Sequence, residues 1–244
     1  GAHDRAVGLY ERALGTGAEG HDEEWLGTAR LGLARALAAA GRSDRAREEC
    51  ERAVLLLRRV GAAAEAAALV CFADLTVTAD PARAASAAAR AARLFGDAGD
   101  QHGRGCALLR YGAAQGFLDL TAEGVAAFTA ALAIFRDLGE RELTADALWF
   151  LGVTEHARGA GKEGLPHLMA AIELYRELDR PAGEARAWDA LGSAKTALGR
   201  KREALDAYRR ALDAYRRVGD DPRARWVPYR LESLYADRLR GVAS

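Results

Sequence analysis

Residues 188–211 read WDALGSAKTALGRKREALDAYRRA. Before the Gly199-Arg200 pair, Trp188, Leu191 and Gly192 share one side of an α-helix; after it, Ala204, Tyr208 and Ala211 do the same. Apolar or small residues spaced three and four apart mark amphipathic helices, and Gly at the break marks a helix end. The stretch is therefore a helix–turn–helix unit, with small residues where two helix axes must approach closely and a large residue filling the groove beside them.

The unit recurs. Forty residues earlier stand Leu148, Leu151, Gly152, Gly164, Leu168 and Ala171, and forty before those Leu108, Tyr111, Gly112, Gly124, Phe128 and Ala131. A further forty gives Ala68, Cys71, Phe72, Ala84, Ala88 and Ala91, and a two-residue slip then gives Leu33, Ala34, Ala46, Cys50 and Ala53. One column is alanine in all six copies, from Ala13 through Ala53, Ala91, Ala131 and Ala171 to Ala211. A second, in the first helix of each full unit, is Ala29, Ala67, Ala107, Ala147 and Ala187. Two complete columns in register with a large-residue column are a repeat rather than an accident of an Ala-rich chain. The reading gives a half unit at 1–20, full units at 21–61, 62–100, 101–140, 141–180 and 181–220, and a capping helix at 221–244. Glu232 there stands where a small residue belongs, and Pro228 should kink or delay the helix. Gly61, Gly99, Gly139 and Gly219 fall between units, where left-handed helix caps are expected. Only residues 75–78 show β-branched alternation, and they sit where a helix should end.

On these residues the chain resembles the tetratricopeptide repeat family. Its signature, W-x2-L-G followed by A-x3-Y/F-x2-A, is met by Trp188, Leu191, Gly192, Ala204, Tyr208 and Ala211, and weakens toward the front of the chain. The chain departs from the family in its period of 40 and in Arg216, Arg176 and Arg136, which replace the family's proline. The long form is similar to the repeats of kinesin light chains, LGN-type adaptors and bacterial signal-transduction regulators. The Y/F-R-x-x-G-D endings, as in Tyr215-Arg216 to Gly219-Asp220, look most like the C-terminal repeat domains of actinobacterial transcriptional activators. The resemblance implies an all-α, right-handed superhelical solenoid of about 12 helices in antiparallel pairs, forming one cooperative domain.

It also implies that the first helices line a concave face. Carried over, that face holds Leu31 and Arg35; Leu69, Ala73 and Thr76; Leu109, Ala113 and Phe117. It continues with Asp146, Trp149, Val153 and His156, then Arg186, Asp189 and Ser193, with Trp226 and Tyr229 on the cap. Leu69, Leu109 and Phe117 would make its centre apolar; Asp146, Arg186, Asp189 and Arg35 would make its ends polar. Trp149 lies one place beyond the packing position of Leu148, so the core does not require it, and an exposed Trp in a groove is a common anchor.

Composition narrows the rest. Lys plus Arg equals Asp plus Glu at 35 each, which removes bulk attraction to nucleic acid or an anionic membrane. The charge is uneven, with 12 basic and 7 acidic residues in 200–244 against 13 and 18 in 61–199. No apolar run approaches the ~20 residues of a membrane span, and the acidic N-terminus does not resemble a signal peptide. Cys50, Cys71 and Cys106 form no CxxC pair or disulfide framework, so a reducing cytoplasm is expected; Cys71 is assigned to the core and Cys106 to the concave side. The five histidines show no metal-ligand spacing. Gly15–Gly20 matches GxGxxG, but no strand precedes it, and Gly159–Lys162 lacks most of a phosphate loop. Glu155, His156 and Asp189 are the only residues that invite a catalytic reading, and they lack an evident nucleophile or second ligand.

The expected function is therefore a binding module with no enzymatic activity, cofactor or metal. Its partner is a protein or peptide, or flanking domains of the same polypeptide, with no direct contact to nucleic acid or membrane. The resemblance places it as the sensor or regulatory arm of a bacterial cytoplasmic regulator; the alternative is a small-molecule sensor using the same groove.

Overall fold

The computed structural model describes residues 1–17, 22–219, 224–230 and 232. Eleven helices follow in chain order: α1 (Ala2–Gly17), α2 (Glu23–Ala39), α3 (Ser43–Val60), α4 (Ala62–Thr76), α5 (Pro81–Asp97), α6 (Gln101–Phe117), α7 (Thr121–Asp137), α8 (Arg141–Ala157), α9 (Gly161–Glu177), α10 (Pro181–Ala197) and α11 (Lys201–Arg217). Residues 224–230 are also helical, with Pro228 inside them, and no strand occurs among the described residues. The GxGxxG look-alike runs into residues 18–20, which lie outside the described residues, as does most of the expected cap. Contacts group the chain into two compact units, Gly1–Ile134 and Phe135–Ser244, with the boundary inside α7.

Most helix ends are built alike. Gly41, Gly99, Gly139, Gly159 and Gly199 have φ between 71° and 84°. Asp119 and Asp179 take the same left-handed place at 59° and 52° where no glycine is present. The residue after each turn then donates its backbone N–H back into the helix, as Arg42 does to Leu37 O at 2.9 Å, Arg180 to Tyr175 O at 2.8 Å and Arg200 to Lys195 O at 2.9 Å. This closure satisfies carbonyls that the helix leaves open and reverses the chain, so helices of about equal length pack as antiparallel pairs.

In the first unit the core is largely alanine: Ala34, Ala53, Ala68, Ala84, Ala88 and Ala91 are fully buried. Phe72 and Phe95 fill the space that small residues leave. In the second unit Gly152 faces Leu168 and Gly192 faces Tyr208, and a Cβ on either glycine would come within 2.5–2.7 Å of the partner side chain. Glycine here is a condition of close helix approach, as the sequence pattern indicates.

The first unit departs from the expected register in one helix. Gly61 is not a left-handed cap: with φ 159° and ψ 170° it alone joins α3 to α4, which starts at Ala62. The helix therefore begins one position later than the other first helices, and one residue is ~100° of helix rotation. Ala67 is exposed while Ala66 and Ala68 are fully buried, so the alanine column passes through Ala68.

Candidate functional site

The first helices of the second unit build a cleft of about 550 Å³. One wall is α8, with Trp149, Val153 and His156; the opposite wall is α10, with Arg186, Asp189, Ala190 and Ser193. The spacing of three and four residues puts each set on one helix face. Trp226, Val227 and Arg230 of the 224–230 segment complete the wall, and Tyr215 of α11 also lines it. Val227 is buried and anchors the segment, whereas Trp226 is 69 % exposed.

Its electrostatics fall into two parts. Arg230 Nη1 donates to Asp189 Oδ1 at 2.6 Å and to Ser193 Oγ at 3.1 Å, while its guanidinium lies 5.7 Å from the Tyr208 ring. That end is closed by its own pairing. At the other end the Arg186 guanidinium lies 5.0 Å from the centre of the Trp149 ring and comes no nearer to Asp146 than 3.5 Å. Asp146 is held elsewhere, accepting a 2.5 Å hydrogen bond from Tyr175 OH. Burial, together with the Asp146 charge, raises the Tyr175 pKa well above the ordinary phenol value, so the hydroxyl stays a donor. Trp149 Nε1 is buried and has no hydrogen-bond partner among the described residues. An unmet buried donor costs ~1–3 kcal/mol. The cleft thus offers an indole face and a guanidinium with spare donors.

Of the residues expected on this face, Asp146, Trp149, His156, Arg186 and Asp189 are gathered in the second unit, all partly exposed. Two others are corrected. Leu69 is 6 % exposed: the late start of α4 turns it away from the first-helix face, and with Phe72 it floors a cleft between α3 and α5. Ala73 and Thr76 are buried in the same helix. Leu109 is 1 % exposed and belongs to the packed interior rather than to an open groove surface. Phe117, at the end of α6, is 57 % exposed. Arg35 is exposed, Cys71 is buried and Cys106 is half-buried. The adjacent Glu155 and His156 part company, for buried Glu155 bonds His167 Nδ1 on α9 at 2.8 Å while His156 faces the cleft.

Sequence reading missed Arg230 and Tyr175. Arg230 was legible in part, since it lies four residues after Trp226 and so shares its face. Tyr175 occupies a core column, and nothing in that column announces a bond to Asp146.

Residues 145–217 match a family model described as tetratricopeptide repeat, and that stretch spans α8 to α11. Solved structures extend the likeness over nearly all of the chain. BtubC from P. vanneervenii is 15 % identical, with TM-score 0.71, over 89 % of this chain and 90 % of that one. The fold is that of tetratricopeptide repeats. A second similar structure is a signal transduction ATPase with numerous domains and a tetratricopeptide repeat sensor from Pyrococcus horikoshii. It is 14 % identical, with TM-score 0.73, over 97 % of this chain and 38 % of that one. A third is a Rap protein in complex with competence and sporulation factor, 12 % identical with TM-score 0.66 over 95 % and 69 %. No curated protein sequence matches the chain. Among the described residues no group of three His, Cys, Asp or Glu side chains is placed to hold a metal ion, and no helix is long and apolar enough to cross a membrane.

Proposed function

We propose that this tetratricopeptide-fold chain is a protein- or peptide-binding module whose partner enters the cleft between α8, α10 and residues 224–230. The observation that carries the reading is the stacking of the Arg186 guanidinium, which has spare donors, on the partly exposed Trp149 ring in the cleft wall. Aromatic and Arg anchors in a partly desolvated pocket supply most of the energy in protein interfaces. A backbone carbonyl or side-chain carboxylate of the partner accepts from Arg186, while the Trp149 indole and Trp226 pack on its apolar parts. Similar structures support the class of role: one carries a tetratricopeptide repeat sensor and another is complexed with competence and sporulation factor. By the same analogy the chain serves as the sensor or regulatory arm of a bacterial cytoplasmic regulator, of the kind found in actinobacterial transcriptional activators.

The test is affinity capture from an extract of the source cells with the wild type, Trp149→Ala and Arg186→Ala, each checked for unchanged helicity by circular dichroism. Loss of a specific protein from both variants supports the reading; equal retention by all three overturns it. The cleft volume also falls in the ~300–1,000 Å³ range of small-molecule sites, which favours a second reading, a small-ligand sensor. Native mass spectrometry decides between them, since a small ligand that co-purifies with the wild type and not with Arg186→Ala supports the sensor.

A further inference from the structure

The first unit carries a second surface on the side of α3 and α5, away from the first-helix face. Val54 and Leu55 of α3, Leu69 and Phe72 of α4 and Ala87 of α5 enclose an apolar hollow of about 230 Å³. Leu55 stands at its edge 65 % exposed. The Arg83 guanidinium sits 5.2 Å from the centre of the Phe72 ring and pairs with Glu51 at 2.9 Å.

On the other side of that Glu51–Arg83 pair lies a polar hollow of about 350 Å³, bordered by Asp44, Glu48, Glu51 and Asp80 with Arg47 and Arg83. Four carboxylates against two guanidiniums leave it negative. Asp44 pairs with Arg47, and Asp80 caps α5 by accepting from Arg83 N at 3.1 Å, but Glu48 is exposed and has no ion-pair partner among the described residues. Thr76 forms part of the wall; it is 2 % exposed, and its Oγ1 is buried with no hydrogen-bond partner among the described residues. Its unfilled acceptor suits a charged N–H donor, which meets a hydroxyl oxygen and a carboxylate together.

We infer that this face is a docking site for a peptide segment of a partner protein that presents one large apolar side chain to the hollow at Leu55 and Phe72 and one Lys or Arg to the hollow at Glu48 and Thr76. The hollow at Leu55 has room for a single Leu or Phe side chain, and exposed apolar surface rimmed by charge is the usual mark of an interaction patch. Glu48 and Leu55 lie seven residues, and so ~10 Å, apart along α3, a distance matched by positions i and i+7 of a partner helix. The charge of the polar hollow selects against an acidic segment. The surface is separate from the α8–α10 cleft in its residues and in the sign of the group it takes.

The test is selection of displayed random peptides on the intact protein, followed by binding of each recovered peptide to the variants. Both Leu55 and Glu48 are exposed, so Leu55→Asp and Glu48→Lys should retain the wild-type circular dichroism. The expected peptides pair an apolar residue with a Lys or Arg. Their affinity should fall at least about tenfold in each variant, should weaken as salt rises from about 0.1 M to about 0.5 M, and should not change in Arg186→Ala. The inference is overturned by recovered peptides that lack a basic residue, by binding indifferent to Leu55→Asp and Glu48→Lys, or by recovery of no peptide at all. A set that is lost only in Arg186→Ala assigns binding to the other cleft, which also overturns it.

Discussion

Glu184 is buried in the first turn of α10 and accepts hydrogen bonds from Arg176 Nη2 at 3.1 Å, Trp188 Nε1 at 3.2 Å and Arg217 Nη2 at 3.1 Å. One carboxylate thereby ties α9, α10 and α11 together. Glu65 joins α4 to α5 in the first unit, taking Arg90 Nε at 2.9 Å and Nη2 at 3.1 Å. Burial works to raise the Glu184 pKa, but the donors from Trp188, Arg176 and Arg217 outweigh it and hold the carboxyl below its ordinary value. A folded-state pKa below the unfolded one gives stability that is present above the unfolded value, near 4.5, and lost as pH falls through the folded value. Glu184→Gln should therefore be destabilised at pH 7 by about 2 kcal/mol, the worth of charge-assisted bonds. Thermal melts at a series of pH values check it: the gap from wild type narrows below pH 4.5, and a gap constant with pH shows that the charge is not the cause. A second residue-scale expectation concerns Gly164, where an added Cβ would meet the Gly152 carbonyl oxygen at 2.6 Å. A backbone atom cannot rotate away, so Gly164→Ala should cost about 1–3 kcal/mol, as overpacking does. Urea unfolding measures it, and a loss below about 0.5 kcal/mol would show that α8 and α9 separate easily.

At the scale of elements, the helix pairs and their turns were legible because small and large residues recur at a fixed period. The left-handed turns are a direct test of that logic. Gly199 has φ 71° with no atom near its missing Cβ, so Gly199→Ala adds no clash and isolates backbone strain. The expected loss is ~1 kcal/mol by chemical unfolding, and no loss would mean that the turn relaxes to another conformation. The rotation of α4 was not legible. Ala66, Ala67 and Ala68 are chemically identical neighbours, so an alanine column passes through any of them, and only the one-residue connection at Gly61 decides. Leu69 was misplaced by that same rotation. Leu109 was misplaced for a different reason, because its column holds Trp149 and Asp189 in the later repeats and those are partly open. Burial at a fixed repeat position depends on how closely the neighbouring side chains cover it, which the column by itself does not state. The cleft residues on α8 and α10 come from carrying over the first-helix positions that the family resemblance implies, and they share a cleft because those helices keep the common register. The 224–230 wall was found only at Trp226 and Tyr229, and Trp226 alone of these two lines the cleft.

At the scale of the whole molecule, the repeat pattern and the grouping of contacts bear on how the chain unfolds. A repeat stack is held by contacts between neighbours, and its parts unfold together when the coupling between them exceeds the instability of each part alone. The boundary of the two compact units falls inside α7, so the chain cannot release either unit without unwinding part of a continuous helix. The part of α7 beyond the boundary is its last three residues, Phe135 to Asp137, and unravelling them forfeits backbone hydrogen bonds of the helix, a cost that favours joint unfolding. The four tryptophans make this measurable: Trp25 lies in the first unit, whereas Trp149, Trp188 and Trp226 lie in the second. Tryptophan emission therefore follows mainly residues 135–244, and far-ultraviolet circular dichroism follows helices throughout the chain. In urea the two midpoints should coincide within about 0.2 M, the behaviour of a single cooperative transition. Glu184→Gln should then shift both midpoints together, although its substitution touches only the second unit. An emission midpoint that moves while the circular dichroism curve splits into two steps would show instead that α7 parts at the boundary and that the units fold independently.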